Sequence, residues 1–198
     1  MRRCWLAALL ALSVAGRAEA TLYLSERDGA VHLSGEFELG DDAKFAAFLA
    51  QPREQKLSVI YLDSFGGSIV AGIKIGRLIR QARLTTAVRA DAARCDSACT
   101  LIFAGGVRRH YIGGAGVFEG NSARGGLGYH PAHQRDKAWT HAQYSTKGTD
   151  MMVAFYREMG QPRAAELLAR AGYSTIFRPS GQTALSLRIA TSLGEPSD

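Results

Sequence analysis

The hydrophobic period of the chain changes at Gly66-Gly67. Before that pair, Leu57 to Leu62 (LSVIYL) is a short stretch rich in apolar and β-branched residues. Such a run predicts a buried strand. After it, Ile69, Ile73, Leu78 and Ile79 recur at helical spacing, with small Ala71, Gly72 and Gly76 between them. This predicts a helix over 68–82 packed closely on a sheet. The two glycines therefore stand at a strand-to-helix turn, where positive φ and close backbone approach are both accessible. An N–H group presented there could serve a phosphate or an oxyanion. A tight turn alone would use glycine equally well.

The same reading extends along the chain. Thr21 to Leu24 and Ala30 to Leu33 predict a hairpin around Asp28-Gly29. Asp41 or Asp42 is expected to cap a helix over 43–50, ended by Pro52. Thr85 to Ala90 and Arg109 to Ile112 read as strands. Between them, Asp96 is expected to cap a helix over 97–104, stopped by Gly105-Gly106. Residues 113–128 hold seven glycines and read as a loop. Helices are expected over 151–159, over 163–171 with Pro162 near the first turn, and over 183–189. Strands alternating with helices predict a single α/β domain with a mainly parallel sheet.

Composition changes this picture at the N-terminus. Arg2 and Arg3 precede an apolar run, Trp5 to Val14, and then Ala18-Glu19-Ala20. Together these predict a signal peptide over 1–20 and a mature domain over 21–198. The expected protein is exported, periplasmic in a Gram-negative source, with no stable membrane anchor. Without Arg2, Arg3, Arg17 and Glu19 the net charge falls from +6 to +4. The arginines are scattered and form no basic stripe interleaved with aromatics, which argues against a nucleic-acid partner. Cys4 leaves with the leader, and Cys95 and Cys99 remain, one helical turn apart. In an oxidising compartment they could form a disulfide or stay as two buried thiols.

Two further stretches carry candidate chemistry. In RCDSACTLIFAGG, residues 94–106, Ser97 falls at the first turn of a buried helix. Free N–H groups and the helix dipole favour developing negative charge there, and the Ala98 N–H could face an oxyanion. Serine is also common at helix starts simply as a cap. In LGYHPAHQ, residues 127–134, Pro131 holds His130 in extended backbone. A histidine fixed in this way suits a general base, though a structural histidine fits the same pattern. His130 and His133 have metal-ligand spacing, but Pro131 and Ala132 disfavour a ligating helix and no cysteine joins them. No metal and no other cofactor is expected.

As an ordered set, LDSFGGSIVAGIKIGRLI, CDSACTLIFAGGVRR and LGYHPA resemble the Clp protease proteolytic subunit and crotonase superfamily. The resemblance is strongest to a periplasmic Clp-protease-like branch and covers about residues 30–135. It implies a ββα superhelix around a mainly parallel sheet. It also implies Ser97 as nucleophile and His130 as its base, with Gly66, Gly67 and Ala98 forming the oxyanion and substrate-binding site. The N–H groups of Gly67 and Ala98 would be its donors. The implied partner is a peptide or protein substrate, and homo-oligomerisation stays open. Coenzyme A is not expected, because crotonase carboxylates have no clear counterpart and export separates the chain from it.

The sequence departs from the family at several places. Phe65 stands where proline is usual, and VFEGNSARGG (117–126) lengthens the loop before His130. The family's catalytic acid should lie near STIFRP (174–179), which holds no Asp or Glu. Asp136 or Asp150 could substitute, or the site could be a Ser-His dyad. Two functions follow: an exported serine hydrolase, most simply a peptidase, or a non-catalytic binding or assembly module on the same fold.

Overall fold

Strand β3 (Val59–Gly67) is the spine of the structure, because it takes part in two sets of strand pairings. The computed structural model describes residues 22–27, 29–121, 125–135, 142–172 and 174–197. The predicted leader, Asp28 and Asp136 lie outside the described residues. The first half of β3 pairs in parallel with β2 (Ala30–Phe37) and β4 (Thr85–Arg89), and β6 (Arg109–Ile112) continues this sheet beyond β4. Among the described strands of this sheet, the antiparallel member is the edge strand β1 (Tyr23–Arg27), the other arm of the predicted hairpin. Past Ser64, β3 turns to a second set of partners. It pairs with β5 (Arg94–Asp96), which pairs in turn with β8 (Gly126–Gly128), again in parallel. The α/β class and the mainly parallel sheet are as the alternation of patterns predicts.

Gly66 and Gly67 belong to the end of β3 rather than to a turn after it. They pair with Glu36 and Phe37, and both have positive φ, +102° and +126°. The strand ends at Ser68, whose side chain accepts from the Ala71 N–H and caps α2 (Ile69–Gln81).

The small residues of α2 meet a helix, not the sheet as predicted. A Cβ on Gly72 would sit 2.8 Å from the Ala98 carbonyl oxygen, and one on Gly76 would sit 2.9 Å from that of Leu101. These carbonyls belong to α3 (Ala98–Gly105), all eight of whose residues are buried. A helix apolar all round needs cover on every side, and backbone-to-backbone packing supplies one of them. The last carbonyls of α3 are satisfied by side chains: Arg80 donates to Ala104, Gly105 and Gly106, and Gln161 donates to Ala104. A cation suits that negative helix end.

Other boundaries differ for local reasons. Asp41 is the first residue of α1 (Asp41–Leu49), not its cap; the cap position is Gly40 in left-handed conformation, and the Asp41 carboxylate accepts from the Glu38 N–H. Helix α4 (Thr146–Glu158) begins earlier than expected, because Ser145 caps it by accepting from the Gly148 N–H. Helices α5 (Ala164–Leu168) and α6 (Gly181–Ser186) are shorter than the pattern predicts. The glycine-rich stretch is not a plain loop. It contains a 3-10 turn at Gly114–Gly116, then β7 (Gly120–Asn121) and β8. Strand β7 pairs with β11 (Phe177–Arg178), while β9 (His133–Arg135) and β10 (Ala142–Tyr144) form a separate ribbon.

Candidate active site

Three neighbouring parallel strands, β3, β5 and β8, bring the predicted residues to one edge. Ser64, Cys95 and Leu127 lie on one rung across them. Two residues further along stand Gly66, Ser97 and Tyr129; three further stand Gly67, Ala98 and His130. The candidate nucleophile, base and oxyanion donors therefore leave the C-terminal ends of adjacent strands. In α/β sheets this is where ligands are bound.

The Ser97 turn is tightly specified. Ser97 has φ 55° and ψ −122°, values that favour glycine. It links β5 directly to α3, so Ala98 is the first helical residue and its N–H has no acceptor within the helix. The Ser97 N–H donates to the Gly128 carbonyl at 2.9 Å, and its own carbonyl accepts from the Thr100 hydroxyl at 2.6 Å. That hydroxyl also meets the buried Tyr156 phenol at 2.6 Å. The structure joins Cys95 and Cys99 in a disulfide that brackets Ser97. Gly66 is needed because the turn presses on it: a Cβ there would lie 2.8 Å from the Ser97 Cβ and 3.0 Å from the Ala98 nitrogen. Gly67 is packed instead on β2, where a Cβ would lie 2.3 Å from the Phe37 carbonyl oxygen.

Asp96 is not the cap of α3, as the sequence predicts. It is a buried β5 residue whose carboxylate takes a two-pronged contact from the buried Arg178, at 2.7 and 3.1 Å. A Cβ on Gly128 would lie 2.2 Å from that carboxylate, so only glycine leaves room for the pair. The segment 174–179 thus contributes a cation, held by an acid adjacent to Ser97.

His130 is partly buried, and its Nδ1 lies 2.7 Å from the Pro131 carbonyl oxygen. A carbonyl can only accept, so this contact requires Nδ1–H and leaves the Nε2 lone pair available. Burial pushes the imidazole below its usual 6.5, opposed by the Pro131 carbonyl and by the Asp96 charge. The ring is thus neutral near pH 7, as a base requires. The described hydrogen bonds of His130 do not include one to the Ser97 hydroxyl.

The remaining candidates fall elsewhere. Asp136 lies outside the described residues. Asp150 is exposed within α4 and does not cap it. His130 and His133 stack their rings at 5.1 Å, with His133 against Tyr144 at 4.9 Å. Among the described residues no group of three or more His, Cys, Asp or Glu is arranged to hold a metal ion, and no helix is long and apolar enough to cross a membrane.

No protein-family model matches the chain, and no curated protein does. Solved structures do. The 1510-N membrane-bound stomatin-specific protease, in a mutant form, superposes with TM-score 0.60 at 15% identity, covering 84% of this chain and 78% of that one. The two share a fold, in agreement with the Clp/crotonase-like α/β architecture expected from the motifs. An enoyl-CoA hydratase from Thermoplasma volcanium is a looser match, with TM-score 0.48, 11% identity, and coverage of 89% and 73%. A putative enoyl-CoA hydratase from Streptomyces coelicolor gives TM-score 0.48 at 13% identity, covering 96% and 73%. At 15% identity the likeness to the protease shows a shared fold, and the chemistry must be argued from the residues.

Proposed function

We propose that the chain is an exported serine hydrolase, a peptidase, working through a Ser97–His130 dyad. The observation that carries this is the gathering of Gly66-Gly67, Ser97 and His130 at one edge of three parallel strands. The His130 tautomer supports it. With Nδ1–H held by the Pro131 carbonyl, Nε2 is free to take the Ser97 hydroxyl proton as Oγ attacks a substrate carbonyl. The carbonyl π electrons move to oxygen, and the N–H groups of Gly67 and Ala98 receive that charge. Collapse of the intermediate expels the amine, which takes the proton back from His130. Water then repeats the sequence to free the acid and Ser97.

The Cys95–Cys99 disulfide favours an oxidising compartment, in keeping with the predicted leader. N-terminal sequencing of exported material should begin near Thr21.

A fluorophosphonate probe tests the chemistry. The wild type should label, and Ser97→Ala should not. Equal labelling of both, or none of the wild type, favours the second reading, a binding or assembly module on this fold. That alternative draws support from the missing acid near 174–179 and from a His130 ring that is not hydrogen-bonded to Ser97.

A further inference from the structure

Strands β5 and β8 are only three residues long each. So short a ladder leaves the relative register of Ser97 and His130 weakly specified by backbone pairing alone. A second element holds both strands. The Phe177 backbone exchanges two hydrogen bonds with Tyr129, the residue before His130, at 2.8 and 2.9 Å. The next residue, Arg178, grips the carboxylate of Asp96, the residue before Ser97. The same guanidinium donates to the Gly126 carbonyl at 3.1 Å, so one side chain bridges β5 and β8. The element is itself tied down, since Phe177 and Arg178 pair with Asn121 and Gly120 of β7.

We propose that the Phe177–Arg178 strand is a positioning clamp that sets the Ser97–His130 geometry in place of a third catalytic carboxylate. It rests on the hydrolase reading above. Phe177 and Arg178 touch neither the substrate nor the reacting atoms; they act through Tyr129 and Asp96. The ion pair is better suited to this than to adding stability. A buried pair contributes little beyond what apolar residues of similar volume would, whereas its forked geometry fixes orientation and register.

Arg178→Lys tests it. Lysine keeps the charge but cannot hold both carboxylate oxygens and the Gly126 carbonyl in one plane. Labelling by a fluorophosphonate is followed as a function of probe concentration, separating the maximal rate constant from the half-saturating concentration. Circular dichroism monitors the fold. The maximal rate constant should fall about 10- to 100-fold, the effect of a small misplacement of reacting groups, with half-saturation unchanged. A merely structural role would lower the fraction of protein that labels and leave its rate constant alone. Where Arg178→Lys does not fold, the neutral pair D96N/R178Q keeps a hydrogen-bonded contact without charge, and the same loss is expected. A folded variant that labels at the wild-type rate overturns the clamp while leaving the hydrolase reading intact. A wild type that does not label overturns both.

Discussion

Ser97 occupies a backbone conformation that its own Cβ opposes. At φ 55° and ψ −122° an L side chain crowds the adjacent peptide, and glycine does not. Ser97→Ala and Ser97→Gly both remove the hydroxyl, but only the second removes the Cβ. Their difference isolates the strain. A sparsely populated backbone region costs roughly 1–3 kcal/mol. Glycine gives back about 0.5–1 kcal/mol through the greater freedom of the unfolded chain. Ser97 is partly exposed, so little apolar burial is lost with the Cβ. Ser97→Gly should therefore be more stable than Ser97→Ala by about 1 kcal/mol, or roughly 2–4 °C in melting temperature for a chain of this size. Differential scanning calorimetry of the two variants measures this directly. A glycine variant less stable than the alanine variant by the full entropic cost, about 0.5–1 kcal/mol, would show that the turn is unstrained, and would refute the assignment of backbone strain to Ser97.

Gly128→Ala should break the Asp96–Arg178 pair, because its Cβ would lie 2.2 Å from a carboxylate oxygen and 2.8 Å from the guanidinium. Separating a buried pair costs about 3–5 kcal/mol, which urea unfolding would report as a lower midpoint. Thiol titration of denatured, non-reduced protein should find neither Cys95 nor Cys99 free, and free thiols at both would rule out the bridge. On the hydrolase reading, the labelling rate should fall on acidification with a midpoint below 6.5, since burial lowers the His130 pKa and only the neutral ring is a base. The sign for stability is the same: the unfolded ring binds protons more readily, so His130 leaves stability undiminished above pH 6.5 and reduces it as pH falls towards the native value. NMR titration of the His130 ring checks both.

The legible features are those encoded locally. The change from a buried run to a helical period locates β3 and α2, and the ordered motifs point to Gly66-Gly67, Ser97 and His130 without any geometry. What the sequence hides is long-range. Asp96 before a helical pattern looks like a cap by every local rule, yet its carboxylate is taken by Arg178, 82 residues away. Nothing near either residue advertises that pairing. Gly72 and Gly76 signal close packing, but a one-dimensional pattern cannot say whether the neighbour is a sheet or another helix. The start of α4 escapes the pattern because Thr146, Lys147 and Gly148 carry no apolar period, and its cap at Ser145 alone betrays it. The glycine-rich stretch conceals β7 and β8 because strands this short owe their form to partners supplied elsewhere in the chain.

On the hydrolase reading, the structure separates two tasks that a triad carboxylate performs together. One is holding the imidazole in the right tautomer; the other is stabilising the imidazolium that forms as serine attacks. The Pro131 carbonyl performs the first, with Nδ1 at 2.7 Å. Being neutral, it does much less of the second. Asp96 lends some negative charge to His130, but its carboxylate is already shared with Arg178, and burial opposes charging of the ring. Orientation is therefore supplied and charge stabilisation is thin. The deficit falls on the transition state, where the ring must carry a proton, and not on substrate binding. A dyad built this way would be slow in its chemical step while binding substrate normally. The clamp becomes more consequential for the same reason: with little electrostatic help available, placement of Ser97 against Nε2 has to supply a larger share of the rate.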